Sequence, residues 1–361
     1  MIRTDPLRTA ETSAARSCLR VMFVIPGAPV ANSMIFARRQ AESLAREDVL
    51  VEVFYLGSRT SPRGLWRAAR EFRARVDASR PQVIHAHFGT VTAVFAALLA
   101  GQLPLVITFR GGDLNPAPRQ APVKDKLRSA IGRLLSQLAA LRADHIICVS
   151  QQLRNRLWWK PLWWKQGTVE ILASGVDPAC FFPQAQGPVR ERLGWRGDEL
   201  VALFNAAGSW WIKRPALARQ AVELARRQYP QLRLEVMYGS TLPEVVPLLM
   251  NAADCLLLTS ATEGSPTVVQ EALACGLPVV TVRVGDAPEL LTHTEMGRLA
   301  EDSAESLAQA LCEVLAEGRR SQRPASLALI NVETIAAPHI AGKLRNIYDG
   351  LAGSIQQPEQ R

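Results

Sequence analysis

The amino-acid sequence predicts an α/β protein made of two doubly wound domains, each a parallel sheet with helices on both faces. Short apolar or β-branched runs alternate with longer amphipathic runs, which is typical of parallel strands joined by crossover helices. The alternation forms two series, and 361 residues of which 48% are hydrophobic suffice for two cores. We therefore expect the carboxyl ends of both sets of strands to face one central cleft, where such sheets bind ligands.

The order of these runs predicts where the domains begin and end. Residues 1–18 precede the first strand-like run, contain no apolar stretch and predict a flexible, basic extension rather than a secretory signal. The runs LRVMFVIP, VLVEVFYL, PQVIHAHF, LPLVITF, DHIICVS and VEILAS predict an N-terminal domain over 19–177. The runs ELVALFNAAG, LRLEVMYG, DCLLLTS and LPVVTVR predict a C-terminal domain over 178–330. Residues 331–351 predict a terminal helix that could pack back toward the N-terminal domain, followed by a frayed tail at 352–361.

Charge and cysteine content narrow the class of protein. Residues 1–175 carry 25 Lys and Arg against 12 Asp and Glu, a net charge of +13, whereas residues 176–361 carry 17 against 21. The basic half predicts an anionic partner, and nucleic acid, an acidic lipid surface and a phosphorylated substrate all qualify. The six cysteines form no CxxC pair, which favours buried thiols in a reducing cytoplasm over a disulfide framework or a zinc site.

The segment TEGSPTVVQEALACGLPVV contains two glutamates eight residues apart, Glu263 and Glu271. We expect Ser265 to cap a helix that Pro266 starts, leaving free backbone N–H groups at Gly264 and Ser265. A helix N-terminus of this kind suits a diphosphate, with one carboxylate on either side to accept hydrogen bonds from sugar hydroxyls. Spacing alone leaves a capped surface helix with an exposed glutamate equally open.

Together with VGDAPELL and ILASGVDPACFFP, that segment resembles the family 4 glycosyltransferases of GT-B fold, and the resemblance runs from about Leu19 to Leu351. It implies retaining, metal-independent transfer from a nucleotide diphosphate sugar, which is a co-substrate and not a cofactor. It implies a donor in the C-terminal domain and an acceptor in the N-terminal domain. The implied roles are ribose binding by Glu271, sugar binding by Glu263, and phosphate binding by Gly264, Ser265, Pro266 and Thr267.

A second donor element is expected in FNAAGSWWIKRPALARQAV, after the first strand of the C-terminal domain. Asn205 and Gly208 lie at the turn, and Lys213 and Arg214 precede a helix, where a cation would neutralise charge on the departing diphosphate. The family often has an arginine directly after this glycine, but Ser209 stands here. Lys213 is our first candidate for this role and Arg214 the second, with a solvated helix start as the alternative.

The acceptor side is expected in the loops of the basic half. In TFRGGDL, Arg110 stands where the family commonly has histidine, and an arginine can clamp an anion but cannot act as a base. No base is needed if a leaving phosphate oxygen takes the proton of the acceptor. Asp113 either fixes this loop or is a plain turn aspartate.

Two further segments complete the expected acceptor side. In HAHFG, His85 and His87 share one face of a strand, and we expect His87 to donate to substrate and His85 to be structural. The first loop, PGAPVANSM, contributes Gly27, Asn32 and Ser33. Two histidines without a carboxylate at ligand spacing are a weak metal signal, so no metal is expected.

Two apolar segments of the basic half lie outside these motifs. WWKPLWWK, residues 158–165, is expected at the end of the N-terminal domain away from the cleft, as a membrane or partner contact or as local core. The helix VKDKLRSAIGRLLSQLAALR has an apolar stripe that we expect to pack on the sheet, with membrane contact as the alternative. The stripe consists of Leu127, Ile131, Leu134, Leu135 and Leu138.

These observations favour a cytoplasmic, membrane-peripheral glycosyltransferase at the inner face of the membrane, acting on a glycan or lipid-linked acceptor. The alternative is a non-catalytic subunit that uses the cleft to bind a nucleotide or a partner, since Arg110 and Ser209 depart from the family pattern. Nucleic acid is not expected as a partner, because the sequence contains no recognised reading motif.

Overall fold

The computed structural model describes residues 18–29, 34–158, 168–292, 296–318 and 335–355. The first sheet and its helices occupy the N-terminal part of the chain. Its strands are β1 Leu19–Pro26, β2 Val49–Leu56, β3 Val83–His87, β4 Leu105–Phe109, β5 His145–Cys148 and β6 Val169–Ile171. Its helices are α1 Ile35–Ala45, α2 Pro62–Ser79, α3 Thr90–Leu99, α4 Val123–Ala140 and α5 Gln151–Asn155.

The second sheet follows in the C-terminal part. Its strands are β7 Leu200–Asn205, β8 Leu232–Met237, β9 Cys255–Leu258, β10 Val279–Val282 and β11 Gly297–Ala300. The helices around it are α6 Gln186–Leu193, α7 Trp210–Lys213, α8 Pro215–Ala225, α9 Val246–Ala252, α10 Thr267–Ala274, α11 Ala287–Leu291 and α12 Ala304–Gly318. A last helix, α13, covers Ala337–Ile355.

Both sheets are parallel and doubly wound, which confirms the predicted fold class. Within the described residues the strand orders are β2-β1-β3-β4-β5-β6 and β11-β10-β9-β7-β8. Strand β1 shows why the elements form: Met22 and Val24 pack against the helices of one face, and Val21 and Phe23 belong to the core of the other. A strand buried on both faces is continuously apolar, and this is the pattern that the sequence shows.

The terminal helix α13 returns to the N-terminal sheet and packs beside α1. Its inward face carries Ile340, Ala341, Leu344 and Tyr348, all buried in the same core as Phe23. The helix extends to Ile355, so the expectation of a frayed tail from 352 is wrong for residues 352–355. The added turn is favoured because Leu351 and Ala352 continue the apolar face against that core.

Helix α4 corrects a second expectation, because its leucine stripe does not pack on the sheet. Leu127, Ile131, Leu134 and Leu138 are all exposed, and Leu135 is half-buried. The buried residues of α4 are instead Gly132, Ser136, Gln137, Ala139 and Ala140. Small side chains let α4 approach α3 closely: a Cβ on Gly132 would lie 3.1 Å from the Cγ2 of Thr90.

Three further points concern strand β11, the segments that the structure does not describe, and membrane-spanning helices. Strand β11 was not predicted, since its four residues, GRLA, include a glycine and an arginine and give no apolar run. Residues 1–17 of the predicted extension 1–18, and residues 159–165 of the tryptophan segment 158–165, lie outside the described residues. In the part of the chain that the structure describes, no helix combines the length and apolar character needed to cross a membrane.

Candidate functional site

The loop after β9 holds a carboxylate against a lysine from the segment after β7, the neighbouring strand of the sheet. The Nζ of Lys213 lies 2.5 Å from the Oε1 of Glu263, and both side chains are mostly buried. Lys213 ends the short helix α7, and Thr259 fixes that end by donating its hydroxyl to the carbonyl oxygen of Lys213 at 2.7 Å. The two candidate catalytic residues of the C-terminal domain are therefore in direct contact.

The turn between β7 and α7 carries the other predicted donor residues of this strand. Gly208 has φ +120°, a conformation that glycine adopts without strain, and Asn205 accepts a hydrogen bond from the N–H of Ala207. Arg214 points away from Glu263, since its guanidinium contacts the carbonyl oxygen of Thr259 and the carboxylate of Asp302. Of the two cations, Lys213 is the one that meets Glu263.

The N-terminus of α10 presents two backbone N–H groups beside Glu263. The N–H groups of Gly264 and Ser265 have no hydrogen-bond partner among the described residues. The predicted side-chain cap is wrong: Pro266 occupies the N-cap position, and the helix begins at Thr267. The Ser265 hydroxyl instead accepts a hydrogen bond from the Nε2 of Gln270 at 2.7 Å.

The second glutamate pairs with a residue of the other domain. Glu271, in the second turn of α10, accepts a hydrogen bond at 3.0 Å from Arg39 of α1. Burial raises the pKa of Glu271 to about 7, although the neighbouring Arg39 cation acts in the opposite direction. Sequence reasoning missed Arg39, because it lies on an amphipathic helix with no motif and 232 residues from its partner.

The two domains also touch through backbone at this point of the cleft. A Cβ on Gly264 would lie 2.0 Å from the carbonyl oxygen of Arg110, and one on Gly111 would lie 3.0 Å from the nitrogen of Gly264. Asn115 adds a hydrogen bond of 2.8 Å from its Nδ2 to the carbonyl oxygen of Glu263. The loop after β4 is thus seated directly on the loop that carries Glu263.

Arg110 is held on several sides by the N-terminal domain. Its guanidinium donates to the hydroxyl of Ser174 at 2.8 Å and to the Nδ1 of His87 at 2.8 Å, and it lies 4.1 Å from the ring centre of Phe36. Burial lowers its pKa to about 9, against the opposing charge of Asp113, so Arg110 remains a cation at neutral pH. This arrangement suits an anion clamp and excludes a role as a base.

The two histidines of β3 are both fully buried and differ in their hydrogen bonding. His85 is fully buried, and its ring nitrogens contact the hydroxyls of Tyr348 at 2.6 Å and Thr108 at 2.7 Å, which fits a structural role. His87 is also fully buried, so the expected cleft-lining position is wrong. Burial first, and then the charges of His85 and Arg110, lower its pKa well below the usual value. The neutral ring accepts from Arg110 at Nδ1 and therefore carries its proton on Nε2, which has no partner among the described residues.

Asp113 fixes the loop after β4. Its carboxylate accepts hydrogen bonds from the backbone N–H groups of Gly89, Arg110 and Gly111. Asp113 is fully buried, so any effect on the predicted acceptor side would come through the loop that it holds. Burial raises its pKa, and these three backbone hydrogen bonds oppose that effect.

The structure describes only part of the first loop, which was predicted for the acceptor side. Gly27, with φ +107°, donates its N–H to the carbonyl oxygen of Leu56 and lies at the carboxyl end of β1. Asn32 and Ser33 lie outside the described residues. Among the residues that the structure describes, no three His, Cys, Asp or Glu side chains form a metal-binding group, and metal independence stays a prediction.

Two family models match the chain, one in each domain. The model described as Glycosyltransferase Family 4 matches residues 32–180, and the model described as Glycosyl transferases group 1 matches residues 208–317. The second match contains Gly208, Lys213, Glu263 and Glu271. The first contains Arg39, Arg110 and Asp113.

Individual relatives agree with these models. N-acetyl-alpha-D-glucosaminyl L-malate synthase of Bacillus anthracis is 42% identical over 244 residues, 61% of this chain and 61% of that protein. TuaC of Bacillus subtilis, whose name assigns it to teichuronic acid biosynthesis, is 26% identical over 248 residues, 64% of this chain and 60% of that protein. The chain thus matches about three fifths of the length of these relatives.

A solved structure shows the same fold. The crystal structure of Anabaena HepE in complex with UDP and glucose superposes with a TM-score of 0.68 at 18% identity, covering 92% of this chain and 100% of that one. At this identity the likeness bears on the fold alone.

Proposed function

The chain belongs to the family 4 glycosyltransferases, and on this premise we propose that it transfers a sugar from a nucleotide diphosphate sugar to a glycan or lipid-linked acceptor of the polysaccharide type. The transfer is retaining and needs no metal. The bond from the anomeric carbon to the diphosphate oxygen breaks, a bond to the acceptor oxygen forms on the same face, and the leaving oxygen takes the proton of the acceptor.

One observation carries the proposal: the Lys213–Glu263 ion pair lies beside the free N–H groups of Gly264 and Ser265 and against the Arg110 loop. Backbone N–H groups at a helix N-terminus suit a diphosphate, and Lys213 neutralises the charge that develops as the diphosphate leaves. Glu263 accepts hydrogen bonds from the donor sugar, and Glu271 accepts them from the ribose.

The acceptor side rests on the N-terminal domain. Arg110 is a buried cation at the cleft, which suits an acceptor or donor that carries negative charge. The name of TuaC, and the net charge of +13 over residues 1–175, support an anionic or lipid-linked glycan acceptor at the inner face of the cytoplasmic membrane.

The test is calorimetric titration of the purified protein with UDP, GDP and ADP, alongside a Glu271→Ala variant. We expect one nucleotide to bind the parent selectively and the variant to bind it at least tenfold more weakly, since a carboxylate that receives ribose hydroxyls is lost. A hydrolysis assay with the matching nucleotide sugars then measures turnover. A folded parent that binds none of the three nucleotides would contradict the proposal and favour a non-catalytic subunit.

A further inference from the structure

The outward face of α4 is apolar along its whole length. Six large apolar side chains follow the spacing of one helical face, and each is between 47% and 80% exposed. This exposed stripe consists of Val123, Leu127, Ile131, Leu134, Leu138 and Leu141. A contiguous row of six large, exposed apolar side chains is rare on a monomer, so the stripe marks an interaction surface.

The packing of α4 prevents the stripe from turning inward. On the opposite face, Ser136 accepts a hydrogen bond of 2.8 Å from the N–H of Thr90 and donates to the carbonyl oxygen of Gly132 at 3.0 Å. A Cβ on Gly89 would lie 2.3 Å from the Ser136 hydroxyl. Leucine side chains do not fit this contact, because only small residues allow α3 and α4 to approach so closely.

Basic side chains flank the stripe on both sides. At 3.6 residues per turn, Lys124 and Arg128 project from one side of it, and Lys126 and Arg133 from the other. Within the described ranges none of these four cations is in an ion pair. The helix offers a single acidic residue, Asp125, against them.

Two arginines outside α4, Arg59 and Arg156, add further positive charge beside the helix. Burial and the charge of Arg128 lower the pKa of Arg59, and burial and the charge of Arg133 lower the pKa of Arg156. Cations are thus crowded around α4 and repel one another, so that an anionic surface placed over them would relieve the repulsion.

The stripe also has a defined position relative to the cleft. It begins at Val123, eight residues after Asn115, which contacts the Glu263 loop, and extends along α4 for about 27 Å. At the other end, exposed Trp158 lies beside α4, since its backbone N–H donates to the Oε1 of Gln137 at 3.1 Å. A tryptophan next to such a stripe suits a water–lipid interface.

We propose that this face of α4 docks the protein on an anionic lipid surface, with the stripe inserted at the headgroup boundary and the four flanking cations on lipid phosphates. The inference deepens the peripheral membrane contact of the proposed function by naming the surface that makes it. Charge complementarity selects this occupant, because a symmetric contact with a second copy would bring the cations of one α4 against those of the other.

The test is co-sedimentation of the full chain with vesicles of phosphatidylglycerol and phosphatidylcholine in equal parts, compared with vesicles of phosphatidylcholine alone. We expect binding to the anionic vesicles only, weakened by salt. A variant with Leu127→Ser, Ile131→Ser and Leu134→Ser should lose this binding. A second variant with Lys124→Gln, Lys126→Gln and Arg128→Gln should bind roughly 100-fold more weakly, at about 1 kcal/mol per cation near the surface.

The matched control replaces three exposed arginines of the C-terminal domain, Arg192, Arg219 and Arg227, with glutamine, and it should bind the vesicles as the parent does. The proposal fails if the parent does not bind anionic vesicles, or if both α4 variants bind them with the affinity of the parent. It also fails if sedimentation velocity shows a dimer that the serine variant dissociates. Titration with UDP, GDP and ADP separates this failure from that of the proposed function, because the α4 substitutions lie outside the nucleotide cleft.

Discussion

Lys213 and Glu263 form a contact that the binding of the proposed donor would change. In the present arrangement the lysine neutralises the glutamate at 2.5 Å, and both are shielded from water. A diphosphate bound at the N–H groups of Gly264 and Ser265 would place a second anion beside the same ammonium group. In the proposed reaction, the pair would hold the lysine in position before the donor binds, and the lysine would then respond to charge that develops during transfer.

Replacement of Lys213 by methionine tests this role. We expect turnover of the nucleotide sugar to fall about 100- to 1,000-fold, the usual loss when one preorganised group that stabilises transition-state charge is removed. Lys213→Arg should retain part of the activity, because it keeps the charge. Steady-state hydrolysis or transfer rates measure the effect, with Arg219→Met as the control for loss of an exposed cation. Parent-like turnover in Lys213→Met would contradict the role.

A second residue-scale prediction concerns Arg39 and the pH dependence of binding. The pKa of Glu271 is raised to about 7, so affinity for a nucleotide should fall as the pH drops below this value and the carboxylate takes up a proton. Arg39→Met removes a cation that favours the ionised form. The midpoint of the affinity profile should therefore move to higher pH, with the largest loss near neutral pH and recovery under alkaline conditions.

Calorimetric titration of UDP between about pH 5 and pH 9 measures this shift, across the range in which a phosphate also titrates near 6. The dideoxy analogue of UDP is the control, because it shares the phosphate titration but has no ribose hydroxyls for Glu271. An unchanged midpoint in Arg39→Met, or an equal shift for the analogue, would show that Arg39 does not act through Glu271.

At the residue scale, the sequence offers candidates where a single motif contains them, and their roles stay predictions. Glu263, Glu271 and Lys213 were identified because they follow strands in recognisable segments, and the structure places Lys213 and Glu263 in contact. Arg39 and Ser174 carry no such signal, since their partners, Glu271 and Arg110, are remote in sequence. The exposure of His87 was also beyond prediction, because strand periodicity gives its face but not what covers it.

At the scale of elements, two loops determine how closely the domains approach. The loop after β4 and the loop before α10 meet through Gly111 and Gly264, where backbone lies against backbone. Asn115 adds one hydrogen bond across the same contact. Because glycine alone permits this distance, the closed cleft depends on residue identity at Gly264.

Gly264→Ala should therefore hold the cleft open. The added Cβ would lie 2.0 Å from the carbonyl oxygen of Arg110, and backbone atoms cannot move aside as a flexible side chain can. We expect at least a tenfold loss of transfer, since misplacement of the two domains by about 1 Å is costly for this step. Nucleotide binding should be reduced less, because the proposed donor site lies within the C-terminal domain. Small-angle scattering measures the opening of the cleft, steady-state kinetics measure the loss of transfer, and calorimetric titration measures nucleotide binding. Gly239→Ala, where a Cβ meets no atom within 4 Å, is the matched control.

The elements themselves were predicted well where their signal is strong. Continuous apolar runs identify strands buried on both faces, so ten strands were found, and β11 was missed because it is short and polar. Helix α4 offered two faces that could turn inward, the leucines and the small residues around Gly132 and Ser136. Hydrophobicity favoured the leucines, but the close contact with Thr90 of α3 selected the small residues, and a single sequence does not encode that neighbour.

At the scale of the whole molecule, helix α13 returns to the N-terminal domain. Helix α13 follows the C-terminal domain but belongs to the core of the N-terminal one, so that the two domains are connected twice. Tyr348 is the largest fully buried side chain among the described residues, and its hydroxyl contacts His85, whose ring lies beside that of His87. The last helix thus supports the residues beneath the predicted acceptor side.

Substitution of Tyr348 measures how much stability this return of the chain contributes. Tyr348→Ala should lower the free energy of unfolding by about 3–5 kcal/mol, as a buried aromatic side chain is replaced by a cavity. Tyr348→Phe keeps the ring and removes only the hydroxyl, and should lower it by about 1–3 kcal/mol because a buried nitrogen of His85 loses its partner. Urea denaturation measures both values. Tyr238→Phe, at an exposed tyrosine, is the control and should change the free energy by less than about 0.5 kcal/mol. If Tyr348→Ala changed the free energy of unfolding as little as this control, α13 would not be part of the N-terminal core. His85 would then be held in place by the sheet alone.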